Sequence, residues 1–129
     1  MINFIEIFTI LFIHWLADFV FQTHWQATNK SKNNLALTYH VTTYSLTWIL
    51  PMAALFCIGP YNIIGSIFSG LFFAMLTFIF HWVTDYFTSR LNSKLWARGD
   101  VHNFFVSVGF DQVLHYVQLF LVYYYIKTA

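Results

Sequence analysis

Four apolar stretches, at roughly residues 3–22, 37–58, 62–88 and 104–126, dominate the chain, and each matches the about 20 helical residues that cross a hydrocarbon core. Inside lipid every backbone N–H and C=O must find a partner within its own segment, so stretches of this length predict α-helices. The chain is therefore read as an all-α polytopic membrane protein: a four-transmembrane-helix bundle forming one domain over residues 1–129. Composition agrees, because 59% of the residues are hydrophobic and 9% are charged, against about 25% charged in ordinary soluble domains. The opening segment from Ile2 to Gln22 has no basic leader and no small-residue cleavage pattern, and it carries Glu6, His14 and Asp18. It predicts a retained helix rather than a signal peptide.

The connections set the topology. Thr28-Asn29-Lys30-Ser31-Lys32-Asn33-Asn34 separates the first two spans, Gly59-Pro60-Tyr61-Asn62 the second and third, and a loop with Arg90, Lys94, Arg98, Asp100 and His102 the last two. Five of the six Lys and Arg residues fall in the first and third connections, and only Lys127 lies on the other side. By the positive-inside rule, loops 23–36 and 89–103 are expected in the cytoplasm and both termini outside. Pro51 predicts a kink in the second span, and Gly65, Ser66, Ser69 and Gly70 a strip where a neighbour packs closely. Trp15, Trp25, Trp82 and Trp96, with Tyr39 and Tyr86, read as interfacial aromatics, whereas Trp48 and Tyr123 to Tyr125 fit such a belt less well. The few cations form no continuous basic face, which argues against nucleic acid as a partner.

Ionisable groups inside these spans recur in a pattern. His14-Trp15-Leu16-Ala17-Asp18 in the first span is matched by His81-Trp82-Val83-Thr84-Asp85 in the third, and the fourth carries the reverse order in Asp111-Gln112-Val113-Leu114-His115. Residues i and i+4 share a helix face, so each pair can aim an imidazole and a carboxylate at one place. The fourth span runs opposite to the first and third, so its reversed order brings the three aspartates to one depth and the three histidines about one turn deeper. His40, near the start of the second span, falls close to the aspartate layer. Seven N and O donors from four helices then converge in the cytoplasmic third of the bundle.

Three buried carboxylates without compensation would cost on the order of 10 kcal/mol on insertion scales. Two divalent cations and a bound hydroxide would neutralise them, as in dinuclear sites built inside helix bundles. Cys57 is the only cysteine, so a thiolate cluster is excluded and His and Asp must be the ligands. The expected ligands are His14, Asp18, His40, His81, Asp85, Asp111 and His115. They would hold one or two divalent ions, zinc first and iron or manganese after it. The plainer reading is interhelical hydrogen bonding between His and Asp, worth about 0.6 kcal/mol per contact. Matched depth across three pairs and His40 favours metal.

Other residues are weaker candidates. Gln22 continues the His14 and Asp18 face, and with Gln112 it stands as a second-layer or substrate-contact residue. Lys30, Lys32 and Arg90 stand at the cytoplasmic mouth, where they meet an anionic group or serve as topology signals. His24, Asp100 and His102 are expected in solvent, and Glu6 stands alone in the outer half.

Taken together, HWxxDFxxQ (His14, Trp15, Asp18, Phe19, Gln22), Lys30, His40, HWxxDY (His81, Trp82, Asp85, Tyr86) and DQxxH (Asp111, Gln112, His115) resemble the bacterial and phage inner-membrane proteins of domain-of-unknown-function family 3307. The likeness covers nearly the whole chain. That family is in turn distantly similar to membrane-bound metal-dependent hydrolases related to zinc phospholipase C. The resemblance implies a multi-pass protein of the bacterial inner membrane and adds weight to hydrolysis. The expected activity is metal-assisted hydrolysis of a lipid-linked or phosphate-ester substrate, with Asp111 or Asp18 as general base. Two alternatives stand beside it: a metal-ion or proton pathway, and a non-enzymatic membrane module with a structural metal. The apolar outer halves of the spans argue against a pathway open to both faces. A homo-oligomer is a further expectation, with the lipid bilayer as the constant partner.

Overall fold

Each of the five α-helices among the described residues begins on a polar side chain that accepts from its own first turn, as free helical N–H groups require. Asn3 caps α1 (Phe4–Trp15), Thr23 caps α2 (His24–Asn29), Asn33 caps α3 (Asn34–Ile58), Asn62 caps α4 (Ile63–Ala97) and Asp100 caps α5 (Val101–Thr128). Asn3 with Glu6, and Thr23 with Gln26, form reciprocal capping boxes. Between α1 and α2 the chain continues as a π-helical segment, Leu16–Val20, closed by the bond from Phe21 N to Leu16 O at 2.9 Å. The computed structural model describes residues 1–59 and 61–129, and no strand occurs among them. Pro60 of the expected turn lies outside the described residues.

Helices α3, α4 and α5 are long and apolar enough to cross a membrane. The first hydrophobic stretch differs from the expected regular span over 3–22. It is α-helical only to Trp15 and then widens into the π segment. The third connection also differs from the expected loop 89–103. Helix α4 runs on to Ala97 and α5 starts at Val101, so Arg90 and Lys94 ride on a helix. Within the expected loop 23–36, residues His24–Asn29 form α2.

Interior and exterior are inverted relative to a soluble protein. Phe4, Leu50, Ile58, Phe68 and Phe87 stand exposed on the outer surface, whereas His14, Asp18, His40, His81, Asp85 and His115 are buried. Lipid is the solvent that suits such a surface. One half of the interior is an apolar core of Ile10, Trp48, Met52, Phe56, Phe73, Leu119 and Tyr123. Trp48 and Tyr123 thus belong to the core, which explains their poor fit to an interfacial belt.

The α3 to α4 contact is the most extensive in the bundle. A Cβ placed on Gly70 would stand 2.7 Å from the Ile49 carbonyl oxygen and 3.0 Å from Ala53 N, so the expected small-residue strip makes contact here. Glu6, unexplained by sequence, closes the opposite end of the bundle. Its carboxylate accepts from Asn3 N at 2.9 Å and from Lys127 Nζ, tying α1 to the end of α5. Tyr61 donates to the Ile126 carbonyl and holds the same end.

Candidate metal centre

The other half of the interior is polar, and five elements build it. His14 comes from α1, Asp18 from the π segment, His40 from α3, His81 and Asp85 from successive turns of α4, and Asp111 and His115 from successive turns of α5. The extra residue in a π turn changes the direction in which Asp18 leaves its helix, and π segments recur at functional sites for this reason. Three groups of these side chains are close enough to hold a metal ion: Asp18, His40, His81 and Asp85; His14, Asp18 and His115; and Asp85, Asp111 and His115.

The first group is the most regular. Asp18 Oδ1 lies 3.1 Å from His40 Nε2 and 3.6 Å from His81 Nε2. His40 Nε2 and His81 Nε2 are 3.2 Å apart. Asp85 Oδ2 lies 3.4 Å from His40 Nε2 and 3.5 Å from His81 Nε2. Ligands about 2.0–2.1 Å from a tetrahedral metal stand about 3.3–3.4 Å from one another. Five edges of this donor set cluster around that length. Asp18 Oδ1 makes no aligned hydrogen bond, although it is buried.

A second relationship extends the group toward α5. His115 Nδ1 lies 2.8 Å from the Asp111 carbonyl oxygen, which can only accept, so Nδ1 carries the proton. Nε2 then faces Asp85 Oδ1 at 3.4 Å, is buried, and has no aligned partner. A lone pair facing a carboxylate oxygen is repulsive, so a proton or a metal ion must stand between them. Asp85 therefore offers one oxygen to each side. Asp111 adds Oδ1, also buried without a partner, while its Oδ2 accepts from Gln112 Nε2 at 3.1 Å.

Lys30 enters the centre from the end of α2, which sequence reasoning placed only at the mouth. Gln26 Nε2 donates to Thr43 Oγ1 at 3.2 Å, docking α2 on α3 and turning Lys30 inward. Its Nζ donates to Asp85 Oδ2 at 2.8 Å and to His40 Nε2 at 3.2 Å, and stands 4.0 Å from Asp18 Oδ1. Burial disfavours the ammonium charge, but the Asp85 and Asp18 carboxylates more than offset this and raise its pKa. The charge count changes accordingly. Three carboxylates against one ammonium leave two negative charges, which a single divalent ion or two imidazole protons would balance.

The remaining candidates fall in different places. His14 Nδ1 pairs with Tyr44 Oη at 2.9 Å and Nε2 with Gln112 Oε1 at 2.8 Å, so both ring nitrogens of this expected ligand are already engaged. Gln112 donates to Asp111 through its amide nitrogen, which fixes Oε1 as the atom facing His14. Gln22 does not reach Asp18; its Oε1 is buried without a partner. Arg90 stays outside the centre, donating to the Tyr86 carbonyl at 2.8 Å and Asn34 Oδ1 at 2.7 Å with its guanidinium over the Tyr86 ring. Asp100 is the α5 cap, and hydrogen bonds from Asn103 hold its carboxyl below the usual range. Tyr44 was not among the candidates. It stacks on His81 with ring centroids 3.9 Å apart, and its i+4 spacing from His40 was the available signal.

The family described as a protein of unknown function (DUF3307) matches residues 7–129. The chain belongs to that family. Neither the curated proteins nor the solved structures give a match. In this DUF3307 chain the residues fit a divalent ion: buried His and Asp groups supply N and O donors at chelating distances, and three buried donor atoms facing the centre, on Asp18, Asp111 and His115, have no hydrogen-bond partner. The nearest outer partners are uneven. His115 and His14 are oriented by hydrogen bonds, whereas Nδ1 of His40 and of His81 has none among the described residues.

Proposed function

We propose that this chain is a membrane-embedded metal-dependent hydrolase of the bacterial inner membrane, with its centre near the cytoplasmic face. The substrate is a lipid-linked or phosphate ester. The observation that carries this reading is the donor set of Asp18, His40, His81 and Asp85, five of whose N and O separations are 3.1–3.6 Å, the spacing of ligands around one ion. A divalent ion held there, with zinc as the first choice, would supply Lewis acidity and lower the pKa of bound water. Asp85 serves both sides through its two oxygens, and His115 with Asp111 offers a second position. Asp111 is the general base, because Oδ1 is free to take a proton while Gln112 steadies Oδ2. Four helical spans, with residues 4–20 as the first and both termini outside, complete the topology.

The test is elemental analysis of the protein purified in detergent, followed by assays of phosphodiester and carboxyl-ester release. Metal bound in proportion to protein, with turnover lost in Asp111→Asn but metal retained, is the expected result. Bound metal without turnover on any ester would remove the hydrolase and leave the centre.

Lys30 favours a second reading, a non-enzymatic membrane module. There the ammonium at 2.8 Å from Asp85, aided by imidazole protons, balances the carboxylates and the cluster acts as interhelical glue. A stable protein that carries no metal and gains no stability from added zinc would select it. An ion pathway gains no support, since Trp48, Phe56, Phe73 and Tyr123 pack the half of the interior beyond the centre.

A further inference from the structure

Two adjoining clefts of about 430 and 390 Å³ open beside the centre at the end of the bundle that carries α2, and they share Ser31 and Ser93. Lys30 and Lys32 line the first, and Arg90 and Lys94 the second. Four of the six cationic residues of the chain thus line these adjoining clefts, two of them with their charged groups engaged elsewhere, Lys30 on Asp85 and Arg90 on Tyr86 and Asn34, and no acidic side chain lines either part. Lys32 and Lys94 make no ion pair within 4.0 Å among the described residues, so their charge is not already neutralised.

Two further observations point to a ligand. Ser89 Oγ and Asn92 Oδ1 both belong to residues lining the first cleft, and both atoms are buried with no hydrogen-bond partner. Buried polar atoms are rarely left unpaired, and the Ser89 hydroxyl can donate to an anionic oxygen, whereas Asn92 Oδ1 can accept the proton of a protonated phosphate or of a bridging water. Trp96 and Phe104, packed edge to face at 5.0 Å, give the cleft one apolar wall. Lys30 belongs to both the cleft and the centre, since its Nζ is 2.8 Å from Asp85 Oδ2.

We propose that these clefts form one site for a phosphate-type anion, held by Lys32, Lys94 and Ser93, with Lys30 as its link to the His and Asp centre. The ligand chemistry is a phosphate group carried by an ester. Its use as the hydrolysed group rests on the hydrolase reading, whereas binding of the anion does not.

The experiment uses full-length protein in a maltoside detergent, stripped of lipid and titrated with inorganic phosphate by calorimetry, with bound metal measured on the same samples. Saturable binding is expected, weakened about tenfold or more in a Lys32→Gln, Lys94→Gln double variant, as loss of charge-assisted hydrogen bonds implies. Metal content should not change. Both lysines are exposed, and an unaltered unfolding temperature will show that the variant is folded. Nanodiscs distinguish the source. Weaker phosphate binding in phosphatidylglycerol than in phosphatidylcholine identifies a lipid headgroup as the occupant, and equal binding identifies a soluble phosphate ester. Phosphate binding in a protein that carries no metal supports the cleft while counting against the hydrolase. No saturable binding by the wild type, or equal affinity in the double variant, overturns the proposal.

Discussion

Asp85 Oδ1 lies 3.4 Å from His115 Nε2, while Oδ2 of the same carboxylate lies 3.5 Å from His81 Nε2. One side chain thus joins two donor groups that share no other residue. Asp85→Asn should therefore be the most damaging single change to metal binding. The expected loss of zinc affinity is about 100-fold or more, beyond what losing an outer partner costs. Competition with a chromophoric chelator measures it. Retention of metal at the wild-type level would remove Asp85 from the ligand set.

His14 should behave differently from His40, although sequence gave them equal standing. Both His14 nitrogens are in hydrogen bonds, to Tyr44 and Gln112, so its removal acts through positioning and stability. In His14→Ala the buried Tyr44 hydroxyl and the Gln112 oxygen lose a partner, at about 1–3 kcal/mol. Metal should still bind, about 10- to 100-fold more weakly. His40→Ala should abolish stoichiometric metal. Equal metal loss in the two variants would make His14 a ligand.

What the sequence made legible was whatever depends on helical periodicity. The i,i+4 pairs His81 with Asp85 and Asp111 with His115 meet as their spacing requires, and the reversed order in α5 matches its reversed direction. The π turn at Leu16–Val20 was not legible, because an i→i−5 bond leaves no mark in apolar periodicity. Neither was α2, a six-residue polar helix whose position depends on Gln26 reaching Thr43. The place of Lys30 follows from α2, so the largest change to the charge count came from a segment read as loop. The hydrogen bonds of His14 were not legible for a similar reason, since its partners lie 30 and 98 residues away.

Lys30 supplies a positive charge where a metal ion would also be attracted, so removing it should have opposite effects on two measurements. Without metal, Lys30→Gln leaves the Asp85 and Asp18 carboxylates less compensated. Unfolding in detergent should show a loss on the order of 2 kcal/mol, below the value for a fully buried pair because the lysine is partly exposed. With zinc present that loss should shrink, and zinc affinity should rise, because a competing cation is gone. A variant that binds zinc more weakly than wild type would mean that Lys30 assists the ion.

Packing of α3 on α4 carries the last prediction. Gly70 lets the Ile49 carbonyl approach to where a Cβ would be only 2.7 Å away, and the obstructing atoms are backbone, which cannot rotate aside. Gly70→Ala must therefore push α4 away from α3. The expected cost is about 1–3 kcal/mol, the range for overpacking a tight contact. Because His81 lies three turns along α4 from Gly70 and faces His40 of α3, the shift should also lengthen the 3.2 Å approach of their Nε2 atoms. Unfolding in detergent reads the first effect and zinc affinity the second. By contrast, Gly109→Ala in α5 adds a methyl group with nothing within 4 Å, so zinc affinity should not move and stability should hold or rise by up to about 1 kcal/mol. A Gly70→Ala protein with unchanged stability would show that the two helices meet elsewhere.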